Sequence, residues 1–128
     1  MADSLEQAAR AAQANAYAPY SSYRVGAALE ATDGRVFVGC NVENVSYGLT
    51  ICAERSAVFR AVADGARRFR RLIVVSDSEP PASPCGACRQ VLIEFGSELV
   101  VESVGPGSRH RWLLTDLLPA AFAKGTLA

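Results

Sequence analysis

The spacing of apolar and polar residues divides the chain into alternating helices and strands. Apolar positions recur at helical intervals in an alanine-rich stretch over residues 4–16, which Ser4 and Gln7 would open as a capping box. Tyr17-Ala18-Pro19-Tyr20 ends that helix and turns the chain. Residues 24–31 and 35–42 read as two strands joined by Thr32-Asp33-Gly34, a hairpin signal. After a looser stretch through Gly48, helical spacing returns over residues 52–63, carried by Ala53, Ala57, Val58, Ala61 and Val62 and stopped by Asp64-Gly65. Residues 72–76 are continuously apolar, as in a strand covered on both faces. A proline-rich loop over 78–84 leads to a helix over 85–95, closed by Gly96. Strands follow at 99–104 and 110–114, parted by Gly105-Pro106-Gly107-Ser108, and Thr115 would cap a last helix running to about Phe122.

The order αββαβαββα predicts an α/β fold: a three-layer α/β/α sandwich around a mixed five-stranded sheet. The hairpin makes the first strand pair antiparallel, and the later strands, joined through helices, should be parallel at least in part. A chain of 128 residues holds one domain, here residues 1–128.

Composition narrows the partners. Thirteen basic residues balance thirteen acidic ones, which argues against broad attraction to nucleic acid or anionic lipid. The densest basic run, Arg67-Arg68-Phe69-Arg70-Arg71, reads as a solvated helix end, where cations suit the dipole. No stretch is long enough to span a bilayer and the N-terminus lacks a leader pattern, so a cytoplasmic location is expected. Four cysteines in a reducing compartment then point to ligands or buried thiols before disulfides.

Two short runs carry the chemistry: Cys52-Ala53-Glu54 and, some thirty residues on, Pro84-Cys85-Gly86-Ala87-Cys88. They offer three thiols and one carboxylate. Working zinc takes three protein ligands and keeps one position for water, and a carboxylate that is not a ligand can move that water's protons. A His or Cys two residues before Glu, followed by Pro-Cys-x-x-Cys, is the pattern of the zinc deaminases. Cys85 and Cys88 share a face of a first helical turn. Cys52 and Glu54 can converge only if Cys52 sits at a helix cap.

Three thiolates on one zinc ion leave about one negative charge, which two helix N-termini at roughly +0.5 each would offset. Arg55 and Arg89, each next to a motif residue, could donate to the sulfurs, with Arg55 the better placed for charge compensation. Cys40 reads as a small buried strand residue; as a fourth ligand it would close the site into a structural one. His110, the single histidine, has no partner pattern.

The resemblance to a known family extends beyond these runs. Tyr17-Ala-Pro-Tyr20-Ser, Val25-Gly-Ala-Ala-Leu29, Gly39-Cys-Asn41-Val42-Glu43-Asn44, Cys52-Ala-Glu54-Arg55, Pro84-Cys-Gly-Ala-Cys88-Arg-Gln90 and Leu117-Leu-Pro-Ala-Ala-Phe122 together resemble the small homotetrameric zinc-dependent cytidine deaminases. The resemblance implies hydrolytic deamination of cytidine and 2′-deoxycytidine in pyrimidine salvage, with one zinc ion per subunit. Cys52, Cys85 and Cys88 would bind the zinc and Glu54 would shuttle protons. Asn41 and Glu43, with Val42 between them, would hold the ribose hydroxyls, and Ala53 would meet the base through its backbone. Tyr23 stands where the family usually has Phe, and its ring would line the sugar pocket. Phe122 would reach a neighbouring subunit's pocket and stack on the base, so active sites would be shared within a homotetramer.

Two other readings compete. One is deamination of a cytosine-nucleoside antibiotic such as blasticidin S, or of a base within RNA or DNA; the balanced charge disfavours a polymer. The other is a non-catalytic zinc-stapled module, in which Glu54 would be dispensable.

Overall fold

The computed structural model describes residues 3–124 of the 128. The helices and strands follow in the expected order. They are α1 (Ser4–Gln13), β1 (Val25–Ala31), β2 (Val36–Cys40), α2 (Ala53–Ala63), β3 (Phe69–Ser76), α3 (Gly86–Ile93), β4 (Val100–Val104), β5 (Arg109–Leu113) and α4 (Leu114–Leu117). A 3-10 turn at Tyr47–Leu49 precedes α2.

One mixed sheet runs in the order β2-β1-β3-β4-β5. β1 is antiparallel to both β2 and β3, so β2 and β3 point the same way although β1 lies between them. β3 and β4, linked through α3, are parallel. The short turn after β4 can only reverse the chain, and β4 and β5 are antiparallel. Each helical connection thus returns a strand in the same direction, while only β3 and β4 are parallel neighbours.

Strand alternation supplies two apolar faces. On one, Leu5 and Ala9 of α1 pack against Ala28, Ile73, Val75 and Val104. On the other, Ala53, Ala57, Val58 and Ala61 of α2 and Leu92 of α3 cover Ala27, Leu29, Leu72, Val74 and Val101. β3 is therefore buried on both sides, as its unbroken apolar run requires. At Gly39 the backbone of α2 comes so close to β2 that an added Cβ would lie 2.6 Å from the Ala53 carbonyl oxygen and against the Ala57 nitrogen. That contact presses the N-terminal half of α2 onto the end of β2, just before Asn41.

Three boundaries differ from expectation. Asp3 caps α1, its Oδ1 accepting from the Glu6 N–H at 2.9 Å, and the helix ends at Gln13. A carboxylate is the stronger acceptor there, so the capping box that would start at Ser4 does not form. The basic run is not a helix end: α2 stops at Ala63, Gly65 turns the chain at φ 92°, and buried Phe69 opens β3. Arg70 then pairs with Glu30 at 3.0 Å, and Arg71 with Asp3 and Glu102 at 2.7 Å each. Leu113, not Thr115, occupies the cap position of α4, which ends at Leu117. Pro119 pushes Leu118 out of the helical region (φ −143°, ψ 69°), so Phe122 lies in irregular chain beyond the helix.

Among the described residues no helix is long and apolar enough to cross a membrane.

Candidate active site

Cys52 and Cys85 each stand at the cap of a helix. Cys52 has extended backbone (φ −73°, ψ 155°) ahead of α2, and Cys85 (φ −67°, ψ 167°) ahead of α3. This is the placement that Cys-x-Glu spacing demands, because the cap residue's side chain crosses the helix mouth while Glu54 starts down the first turn. Cys88 lies one turn into α3, fully buried, and its N–H donates to Cys85 Sγ at 3.5 Å.

The three sulfurs lie within 4.8 Å of one another, with Cys52 to Cys85 at 3.9 Å and Cys85 to Cys88 at 3.4 Å. Tetrahedral thiolates at ordinary zinc–sulfur distances would stand about 3.8 Å apart, so the donor set fits zinc. Cys40 does not belong to it. It is only half-buried on β2, and its thiol faces the Asn15 carbonyl at 3.6 Å, which leaves the triad without a fourth sulfur. His110 stacks edge-on against Trp112 on β5, 5.6 Å between ring centres.

Arg55 Nη2 donates to Cys52 Sγ at 3.3 Å, and its Nε is buried without a hydrogen-bond partner. The Cys88 thiol and the Arg55 guanidinium together hold the Cys52 thiol down at about 5 against the effect of burial. Cys88 moves the other way: its bond to Cys52, its burial and the charge of Glu54 all push its thiol up. Between these two, the metal-free cluster thus favours the thiolate on Cys52, and a metal must displace the proton of Cys88. Arg89 does not reach the sulfurs, contrary to expectation. The carbonyls of Pro84 and Leu117 and the hydroxyl of Ser83 take its donors instead.

Glu54 is 6% exposed, and burial raises its carboxyl to about 6, with the negative charge of Cys52 adding to the effect and Arg55 opposing it. Such a group can hold and release a proton near neutral pH. It lies on a cavity of about 260 Å³ that Cys52, Cys85, Ala53, Tyr23, Asn41 and Glu43 also line.

The polar end of that cavity is fixed by the backbone. Asn41 Oδ1 accepts from the Val25 N–H at 2.9 Å and its Nδ2 donates to the Tyr23 carbonyl at 2.7 Å. One amide hydrogen and one lone pair remain for a ligand. Glu43 Oε1 accepts from the N–H groups of Tyr20 and Ser21 at 3.0 and 3.1 Å, and Oε2 accepts from the Ser21 hydroxyl. The Ser21 hydroxyl first, then those two N–H groups, keep the carboxylate below its ordinary range.

Two of the expected substrate contacts lie off this cavity. Val42 pairs with Ile51 through the backbone in both directions, and its side chain is half-exposed. Phe122 is 60% exposed, its carbonyl accepting from Gln90 Nε2 at 2.6 Å. Thr50, Ile51 and Ser83 line the cavity without having been singled out. Ser21, which clamps Glu43, was visible only as part of the Tyr17–Ser21 motif.

Comparison with known proteins agrees with this geometry. Residues 2–103 match the family model described as the cytidine and deoxycytidylate deaminase zinc-binding region. A cytidine deaminase of Sporosarcina psychrophila is 51% identical over 119 residues, covering 91% of this chain and 88% of that protein. One from Mycobacterium tuberculosis is 51% identical over 112 residues, covering 87% and 81%. The crystal structure of a cytidine deaminase from Burkholderia pseudomallei superposes with a TM-score of 0.90 at 51% identity, over 95% of this chain and all of that one. With the family model spanning most of the sequence and the fold shared at this level, the chain belongs to the cytidine and deoxycytidylate deaminase zinc-binding family.

Proposed function

We propose that the chain, working as one catalytic domain, hydrolyses cytidine and 2′-deoxycytidine to uridine and 2′-deoxyuridine with release of ammonia. The observation that carries this reading is the meeting, on one cavity, of a three-thiol cluster, a buried carboxyl and a polar end built from Asn41 and Glu43. Cys52, Cys85 and Cys88 would hold one zinc ion per subunit. Bound there, zinc supplies the Lewis acidity that makes water a nucleophile at neutral pH.

Glu54 moves the protons. It accepts one from the attacking water and passes it to the ring nitrogen beside the reacting carbon. It then takes the proton left on the new hydroxyl and gives it to the departing amino group, so ammonia leaves and Glu54 ends ionised as it began. Water is consumed and no redox partner is needed. Arg55 offsets the negative charge of the thiolates throughout.

Asn41 and Glu43 would bracket the sugar hydroxyls, with Tyr23 along the same wall and Ala53 offering its backbone to the base. This end suits a free nucleoside, which supports reading the activity as pyrimidine salvage, and the compartment we propose for it is the cytoplasm. Phe122 would complete a neighbour's pocket. The assembly we propose is a homotetramer, supported by the exposure of Tyr17, Tyr20, Val45, Tyr47 and Leu49, a set of large apolar side chains suited to burial against another subunit.

The ultraviolet absorbance change on mixing protein with cytidine, with and without a chelator, tests the reaction. Turnover that stops on chelation and returns with zinc is expected. Turnover of oligonucleotides, or of blasticidin S in preference to cytidine, would overturn the assigned substrate.

A further inference from the structure

Two consecutive residues of α3, directly after Cys88, reach to the loop that precedes α3 and to the segment that ends α4 and follows it. Arg89 Nε donates to the Pro84 carbonyl at 2.7 Å, Nη1 to the Leu117 carbonyl at 2.7 Å and Nη2 to Ser83 Oγ at 3.2 Å. Gln90 Nε2 donates to the Phe122 carbonyl. The Pro84 carbonyl and the Cys85 nitrogen share one peptide plane. The Nε bond therefore orients the plane from which the Cys85 side chain departs, beside a proline that is fully buried. On the other side, Leu117 ends a one-turn helix whose last carbonyls lack intrahelical partners and which is too short to hold itself. A guanidinium suits this junction because its donors diverge rigidly within a plane, whereas an ammonium on a flexible stem has no such fork.

We propose that Arg89 is a positioning residue that sets Cys85 and the 117–122 segment as one unit, with Gln90 completing the hold at the Phe122 end. The thiol loop and the segment that presents Phe122 then share one anchor, and loss of Arg89 disturbs both, whereas loss of Gln90 loosens only the Phe122 end. The proposal rests on the assignment of Cys85 as a zinc ligand.

Zinc release to a chromogenic chelator and hydrogen exchange of the 117–124 backbone, compared in the parent protein, Arg89→Ala, Arg89→Lys and Gln90→Ala, test it. Arg89→Ala is expected to speed zinc release about tenfold, the scale for losing a group that orients a ligand. It is also expected to deprotect the segment and shift the thiolate-to-metal absorption of the cobalt-substituted protein. Arg89→Lys keeps the charge and loses the fork, so both effects persist in smaller measure; it carries the test should Arg89→Ala fail to fold. Gln90→Ala is expected to deprotect the segment with zinc release unchanged. Arginine variants that lower only Tm, with zinc release, cobalt absorption and exchange over 117–124 as in the parent, overturn the proposal. Cys85→Ser separates the two layers: if it holds zinc as tightly as the parent, the ligand assignment has failed instead.

Discussion

Arg55 reaches back one turn of its own helix to donate to Cys52 Sγ at 3.3 Å, so the residue that caps α2 and the residue that balances its charge lie three apart in sequence. The guanidinium is one of the groups that hold the Cys52 thiol at about 5. Arg55→Gln removes the charge and keeps a donor. Without the charge the thiol returns toward its ordinary range and the all-sulfur site gains net negative charge. We expect zinc affinity and kcat to fall by about 10–100-fold each, the range for such partners of a metal ligand. Competition against a chelator and steady-state assays with cytidine measure the two, and unchanged values in both would remove Arg55 from the charge balance.

Glu54→Gln keeps the shape of the side chain and abolishes proton transfer. Turnover should fall by about 10²–10⁴-fold, the usual worth of a general acid–base group, with one zinc ion still bound per chain.

The same substitution has a second consequence for stability. In the metal-free fold burial raises the Glu54 carboxyl from 4.5 to about 6. The folded protein therefore keeps this proton between pH 4.5 and 6, where the unfolded chain has lost it. The penalty for ionising the buried group is absent below that window and complete above it, about 2 kcal/mol for the shift. Relative to the parent, metal-free Glu54→Gln should gain stability as pH rises from 4.5 to 6 and level off beyond. Urea denaturation at pH 5 and pH 8 after chelation measures this; a difference that does not grow with pH would show that the carboxyl is not held against ionisation.

How far the sequence could be read depends on how local each interaction is. Cys52 at a cap was legible because a Cys-x-Glu pair has no other way to converge at a helix start, and that is where it stands. The sheet was legible from the apolar period, including the doubly covered β3. What escaped was long-range or competitive. Asp3 outcompetes Ser4 as a cap only because an ionised oxygen accepts better. Arg89 was expected at the sulfurs, but its partners include Leu117, which the fold alone brings near. The clamp of Ser21 on Glu43 spans 22 residues of sequence and has no periodic signature. Pro119 was the readable sign that the last helix stops early.

Gly39 tests whether the packing of α2 on β2 sets the site. A Cβ there would collide with backbone atoms of Ala53 and Ala57, which cannot swing aside as a side chain can. Gly39→Ala must displace α2, and with it Cys52 and Glu54. We expect a loss of about 1–3 kcal/mol, the usual cost of overpacking, together with weaker zinc binding. At Gly48 an added Cβ meets nothing within 4 Å, so Gly48→Ala is the matched control and should change neither. Urea denaturation and zinc titration of the two variants decide it, and equal behaviour would mean the close approach is not what positions α2.

Phe122 bears on whether active sites are shared between subunits. Its ring is 60% exposed and absent from the cavity of its own chain, while the bond from Gln90 fixes its backbone. If the ring stacks on the base in a neighbour's pocket, Phe122→Ala should raise KM by about three- to tenfold, corresponding to the worth of one aromatic stack. That result alone does not identify which pocket the ring enters. Mixing does. Subunits carrying Glu54→Gln lack turnover but keep the ring, and subunits carrying Phe122→Ala lack the ring but keep the carboxyl. When the two are dissociated, mixed equally and reassembled, about a quarter of the sites in a symmetric assembly pair an intact Glu54 with an intact Phe122 from the other variant. The mixture should then show a fraction of turnover with the parent KM that neither variant shows alone. If Phe122 serves its own chain, no mixture can restore that component, and the shared-site assembly is wrong.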